Sequence, residues 1–133
     1  MPTERRVQDF EGAWRINRTI EHAQASTARF EGEATWHPVA DGYDYRESGV
    51  LTVPGSAPMH AERRYHWAND FSVFFDDSRF FHKVPASGGQ AVHWCDPDTY
   101  TVDYDFAPWP QFQVTWTVRG PKKSYRMVSR YVR

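Results

Sequence analysis

The feature that most constrains this chain is an alternation of period two that runs with few breaks from Trp14 to Val132. Neighbouring side chains on a strand point to opposite faces, so such a pattern sorts a sequence into an inside and an outside. Trp14, Ile16, Arg18 and Ile20 share one face of a first segment, against Arg15, Asn17 and Thr19. Phe30, Gly32, Ala34 and Trp36 share a second, and Tyr43, Tyr45, Glu47, Gly49, Leu51 and Val53 a third. The stretch AERRYHW (61–67) puts Ala61, Arg63, Tyr65 and Trp67 on the aromatic face and Glu62, Arg64 and His66 on the other. FSVFFD, SRFFHKV, AVHWC, TYTVDYDF, QFQVTWTV and SYRMVSRYV complete about ten short strands. A turn signal follows nearly every one: VADG, PGSAP, AND, DDS, PASGG, DPD, APWP and RGPK.

Nothing between these strands is long enough for a crossover helix, so the topology is up-and-down and antiparallel. Such a sheet stacks as a sandwich or closes into a barrel, and closure removes its exposed edges. Gly32 and Gly49 fall on the inner faces, where a missing side chain lets a strand bend sharply, and bends favour the barrel. Composition agrees. Aromatics make up 17% of the 133 residues, and Leu51 is the only leucine, a poor mix for helices and a good one for sheet. The expectation is an all-β, up-and-down antiparallel barrel of about ten strands, one domain over residues 1–133. A short helical turn, capped by Thr3 and ending at Gly12, precedes it.

Charge excludes more than it assigns. The 16 basic and 17 acidic side chains are spread along the chain with a net charge of −1, so no basic block marks a nucleic-acid or anionic-lipid partner. No apolar run approaches a membrane span or a secretory signal. The single cysteine, Cys95, excludes an internal disulfide and CxxC metal sites. A cytoplasmic protein is the simplest reading, monomer or homodimer.

Gly12-Ala13-Trp14 ahead of up-and-down strands resembles the GxW opening of lipocalin-like (calycin) barrels. A more specific likeness runs through GAWRINRTI (12–20), FEGEATW (30–36), YRESG (45–49), RRYHW (63–67), DDSRFFH (76–82), HWCDPDTY (93–100), Trp116, GPKKSY (120–125) and SRYVR (129–133). On these residues the chain resembles an uncharacterised, mainly bacterial family, domain-of-unknown-function family 6314. The resemblance implies a lipocalin-type barrel and carries no established activity. EHAQAST (21–27) is too short for the helical lid of fatty-acid-binding proteins, and the chain ends in SRYVR without the C-terminal helix of secreted lipocalins. The bare intracellular type, which includes the haem-binding nitrobindins, is the nearer comparison.

A barrel of this size holds packed side chains or one small ligand. A purely structural core draws on Leu, Ile, Val and Phe, whereas these inner faces bring hydroxyls, a carboxylate, guanidiniums and an imidazole. Isolated charges there are costly, so they must be paired or solvated. Glu47 and Arg63 lie on successive strands and can meet across the ladder. Either that pair closes on itself and fixes strand register, or Arg63, with Arg18, holds a carboxylate or phosphate in its guanidinium fork. Tyr45, Tyr65, Trp67, Tyr100 and Trp116 complete the expected lining, with His82, placed on one face with Phe80 and Val84.

The favoured role is binding a small aromatic or amphipathic, anionic molecule. Two alternatives stay open. One is an enzyme using Glu47 and His82 as acid and base, or a haem bound by His82 or His93; no motif points to any cofactor. The other is an interaction module with a filled barrel. The alternation does not decide whether His93 and Cys95 or Val92 and Trp94 face inward, and nothing near Cys95 favours a thiolate nucleophile. Trp109, between prolines, plugs an end, lines an entrance or meets a partner.

Overall fold

The computed structural model describes residues 3–133. Its ten antiparallel strands are β1 (Gly12–His22), β2 (Ala28–Val39), β3 (Gly42–Thr52), β4 (Met59–Ala68), β5 (Ser72–Phe75), β6 (Phe80–Lys83), β7 (Gly89–Cys95), β8 (Asp98–Asp105), β9 (Phe112–Arg119) and β10 (Ser124–Val132). They form one sheet in the order β6-β5-β4-β3-β2-β1-β10-β9-β8-β7, curled into a nearly closed barrel. The two ends of the chain meet in the middle of the sheet, where β1 and β10 pair from Arg15 with Val132 to His22 with Tyr125.

The opening lies elsewhere. β6 and β7 are the two sheet edges, with no ladder between them. Side chains fill the seam instead, with the rings of Phe81 and His93 5.3 Å apart. β5 and β6 have four residues each, and their pairing slips from Val73–His82 to Phe74–Phe80, so Phe81 is the extra residue of a bulge. The bulge turns both Phe81 and His82 into the barrel and leaves Phe80 outside and half exposed. This corrects the expected face, which grouped Phe80 with His82: the extra residue breaks the count of two. A strand so short and kinked cannot reach the seven residues of β7.

Gly32 and Gly49 stand opposite each other in the β2–β3 ladder. A Cβ on Gly32 would lie 2.2 Å from the Ser48 carbonyl oxygen, and one on Gly49 2.2 Å from that of Glu31. The two backbones therefore pass too closely for any side chain, and the missing side chains leave space for the neighbouring strand.

The N-terminal turn is a single 3₁₀ turn, Val7–Phe10, whose start is held by the Arg6 backbone N–H donating to Asp9 at 2.8 Å; Thr3 does not cap it. Its function is to place Phe10. That ring is fully buried in the lower end of the barrel, 5.1–5.7 Å from the rings of Trp109, Trp67, Phe112, Trp36 and Phe106. Trp109 closes the same end and carries the Arg5 guanidinium 4.7 Å above its ring. Phe10→Ala removes the centre of this plug and is expected to cost about 3–5 kcal/mol, read as a lower urea midpoint at unchanged slope. A loss below about 1 kcal/mol would mean the lower end is held by the strands alone.

Candidate functional site

Above the aromatic plug the interior turns polar. Arg18 on β1 and Glu47 on β3 meet over the inner face of β2, both almost fully buried. Two parallel hydrogen bonds join them, Nη1 to Oε1 at 2.6 Å and Nη2 to Oε2 at 3.0 Å. Arg18 Nε donates to Ser129 Oγ of β10 at 2.7 Å. Tyr45 donates to Glu47 Oε2, so the 2.8 Å bond between Tyr45 and Tyr131 has Tyr131 as its donor. Burial opposes charge on both partners. The Glu47 bonds outweigh it and raise the Arg18 pKa, and the Arg18 bonds and charge outweigh it and hold Glu47 below the usual carboxylate range.

This changes the expected partnership. Glu47 and Arg63 are indeed paired in the β3–β4 ladder. Yet Arg63 Nε only approaches Glu47 Oε1, at 3.7 Å, on an oxygen already bonded to Arg18. The carboxylate closes on Arg18 because β1 and β3 flank the same strand, β2, and Gly32, midway between their partners on it, presents no side chain to keep the fork and the carboxylate apart. Arg63 is left with 38% of its side chain exposed, its guanidinium 5.6 Å over the Trp116 ring and a weak 3.9 Å contact to the Met127 sulfur.

Arg63 borders a cavity of about 30 Å³, room for one or two water molecules. Arg18, Tyr45, Glu47, Tyr65, Trp67, His82 and Trp116 line it as anticipated. Tyr100 does not. Its half-buried ring stands behind Trp116 and Phe81, at 6.3 and 6.0 Å. Trp36 and Tyr104, inward by the same alternation, line it as well, and the lining adds Phe81, which the bulge hides from any count of two, and Tyr131. Tyr131 was readable, since Met127, Ser129 and Tyr131 alternate inward along β10.

Two lining residues keep a buried ring nitrogen without a hydrogen-bond partner, Trp36 at Nε1 and His82 at Nδ1. His82 bonds Tyr104 through Nε2 at 2.8 Å. Burial, reinforced by nearby His93, pushes its pKa down from 6.5 to about 4, so the imidazole is neutral at pH 7. His93 and Cys95 face inward while Val92 and Trp94 are exposed, which resolves the open choice on β7. His93 is wedged against the rings of Phe75 and Phe81. His82 Nε2 is committed to Tyr104, and the cavity it lines, about 30 Å³, is far smaller than a haem. Among the described residues no group of three or more His, Cys, Asp or Glu side chains is placed to hold a metal ion.

On the outside, His60 lies 3.2 Å from Glu62, and His66 sits between Asp41 and Asp44 at 3.5 and 3.6 Å, an ordinary solvated face. Lys123 in the Gly120–Lys123 loop pairs with Asp98 at 3.4 Å. Among the described residues no helix is long and apolar enough to cross a membrane.

The buried ion pair gives a sharp expectation. Glu47→Leu strands the Arg18 guanidinium and should cost about 3–5 kcal/mol in urea unfolding, whereas Arg18→Met with Glu47→Leu should recover most of that loss. Additive losses would mean the two charges are not coupled. His82 gives a second, in pH. Its folded pKa lies below its unfolded value, so its contribution is intact above pH 6.5 and declines as pH falls towards 4, where the unfolded chain alone takes up the proton. The decline amounts to about 3 kcal/mol. In His82→Gln the stability difference from wild type should shrink by that amount between pH 7 and 4; a constant difference would show that His82 does not titrate this way.

The comparisons fit this geometry. A search of curated proteins finds no match. Among solved structures, the S-type phycobiliprotein lyase CPES from Guillardia theta is similar at a TM-score of 0.62 and 11% identity, over 96% of this chain and 89% of that one. At that identity the likeness is one of fold. Residues 10–133, nearly the whole barrel, match the family of unknown function DUF6314, and the chain belongs to that family.

Proposed function

We propose that this protein binds a small aromatic or amphipathic anion in the upper half of its barrel, with Arg63 taking the carboxylate or phosphate. The observation that carries this is the Arg63 guanidinium, held at the rim of an interior cavity while the one neighbouring carboxylate is saturated by Arg18. The aromatic wall of Tyr65, Trp116 and Phe81 beside it suits a flat or apolar body. A ligand larger than the present 30 Å³ is admitted by the β5–β6 hairpin. That hairpin is short, lacks a ladder on one side, and supplies Phe81, which walls the cavity.

A catalytic use of the same interior is the second reading. It is favoured by the His82–Tyr104 pair, a neutral imidazole with one free nitrogen lining the cavity, the arrangement acid–base chemistry requires. The similar barrel from Guillardia theta is a phycobiliprotein lyase.

Titration of the intrinsic tryptophan fluorescence with benzoate and with benzamide tests the binding reading. Benzoate is expected to shift the emission and benzamide to do so more weakly, and Arg63→Met should weaken benzoate about ten- to a hundredfold and leave benzamide unchanged. If neither probe acts and Arg63→Met is at least as stable as wild type, the barrel is a filled structural module.

A further inference from the structure

We infer that the ligand carries a hydrogen-bond acceptor opposite its anionic end, and that the Trp36 indole N–H is the group that reads it. This rests on the binding reading above and names the class of ligand: a planar acid with a carbonyl at its far end.

The inference starts from two tryptophans whose rings lie 6.0 Å apart, each about 1% exposed. Trp14 donates its indole N–H to the Phe10 carbonyl oxygen at 2.8 Å. Trp36 donates to nothing, and Trp36 is the one that lines the cavity. Buried indole N–H groups ordinarily find an acceptor, because water has been removed and nothing replaces it. Around Trp36 the neighbours are ring faces: Tyr45 at 4.7 Å, Trp67 at 5.3 Å, Phe10 at 5.5 Å and Tyr131 at 5.7 Å. The two phenol oxygens among them are already bonded to each other, and Tyr45 also to Glu47.

Arg63 and the surroundings of Glu47 have the same bias, with the free His82 Nδ1 on the opposite wall of Phe81 and Tyr104. Arg63 is a donor without an acceptor role, as is the indole. Glu47, the carboxylate of the site, already receives two bonds from Arg18, one from Tyr45 and the approach of Arg63. A ligand bringing an ammonium or amine into the depth of this site finds no free anion, whereas one bringing oxygen acceptors meets unpaired donors at both ends. Register sets the spacing. Trp36 pairs with Tyr45, Tyr45 with Tyr65, and Arg63 stands two residues along from Tyr65. Two ladder steps and one two-residue step place the Cα atoms of Arg63 and Trp36 on the order of 10 Å apart. A benzoate substituted at the para position is of comparable length.

The test uses 4-acetylbenzoate and 4-isopropylbenzoate, which share charge and shape and differ in one carbonyl. Wild-type protein is expected to bind the acetyl acid about tenfold more tightly. Only the acetyl acid should move the Trp36 indole N–H resonance in a ¹⁵N-correlated spectrum, with that signal assigned by its loss in Trp36→Phe. In Trp36→Phe the two acids should bind equally, while Arg63→Met should weaken both alike. Equal affinity of the two acids for wild type, with no movement of the Trp36 resonance, overturns the inference and leaves the binding reading in place. If neither acid binds, or Arg63→Met leaves both affinities unchanged, the binding reading falls and the inference with it. Should Trp36→Phe fail to fold, the wild-type affinity ratio together with the one shifting indole resonance decides.

Discussion

The Arg18–Glu47 ion pair is the interaction on which the rest of the interior depends. It bridges β1 and β3 over β2, and through Ser129 and Tyr131 it reaches β10, so the strands flanking the meeting point of the chain ends are tied by one network. Desolvating two charges offsets most of what their attraction returns, so the pair adds little net stability compared with an apolar core. What it adds is definition. A one-residue slip of β1 against β2 would turn Arg18 outward and leave Glu47 buried without its fork, so the wrong register is penalised far more than the right one is rewarded.

That network also divides the barrel into two unlike halves. Below it, Phe10, Trp14, Trp109 and Phe112 close the end, mostly edge to face with Trp109 stacked on Phe112, at ring separations of 5.0–5.7 Å among most of their pairs. Above it, Arg63 reaches solvent. The carboxylate that sequence logic assigns to Arg63 is used inside, and this is what leaves a cation at the rim. One carboxylate facing two guanidiniums cannot satisfy both, and the more deeply buried one has the greater need of it.

Most of the fold was legible because period two and turn chemistry act locally. Each hairpin announces itself within a dozen residues, and the Gly32–Gly49 contact follows from two glycines on inward positions that pair. The site was legible only in part. Inward orientation is a local property, so Arg18, Glu47, Arg63 and Trp116 could be placed facing inward from the strand pattern. Which guanidinium meets the carboxylate is decided between β1 and β3, two strands that share no ladder, so pairing logic does not reach it. The bulge at Phe81 failed differently. An extra residue shifts the alternation by one, and RFFHK contains two aromatics in a row, so either phenylalanine satisfied the pattern. The N-terminal turn hid its importance because a four-residue segment has no periodicity to read, though Phe10 is the most contacted ring of the lower end.

The position of the seam follows from the same features. A meander of ten strands has one pair of edges to close, and here the chain ends close theirs through the long β1–β10 ladder. The mismatch is displaced to the middle of the chain, onto β5 and β6, the two shortest strands. Inward-facing Phe75, Phe81, His82 and His93 gather there, so the seam is bridged by rings that slide over one another rather than by backbone hydrogen bonds that must break. Local opening free energy tracks the hydrogen bonds and apolar contacts that an element gives up, and a four-residue strand with a ladder on one side gives up the fewest. The rim that carries Arg63 and the wall that carries Phe81 therefore belong to the part of the barrel that yields most readily. The closed half and its ion pair hold the shape against which that movement occurs.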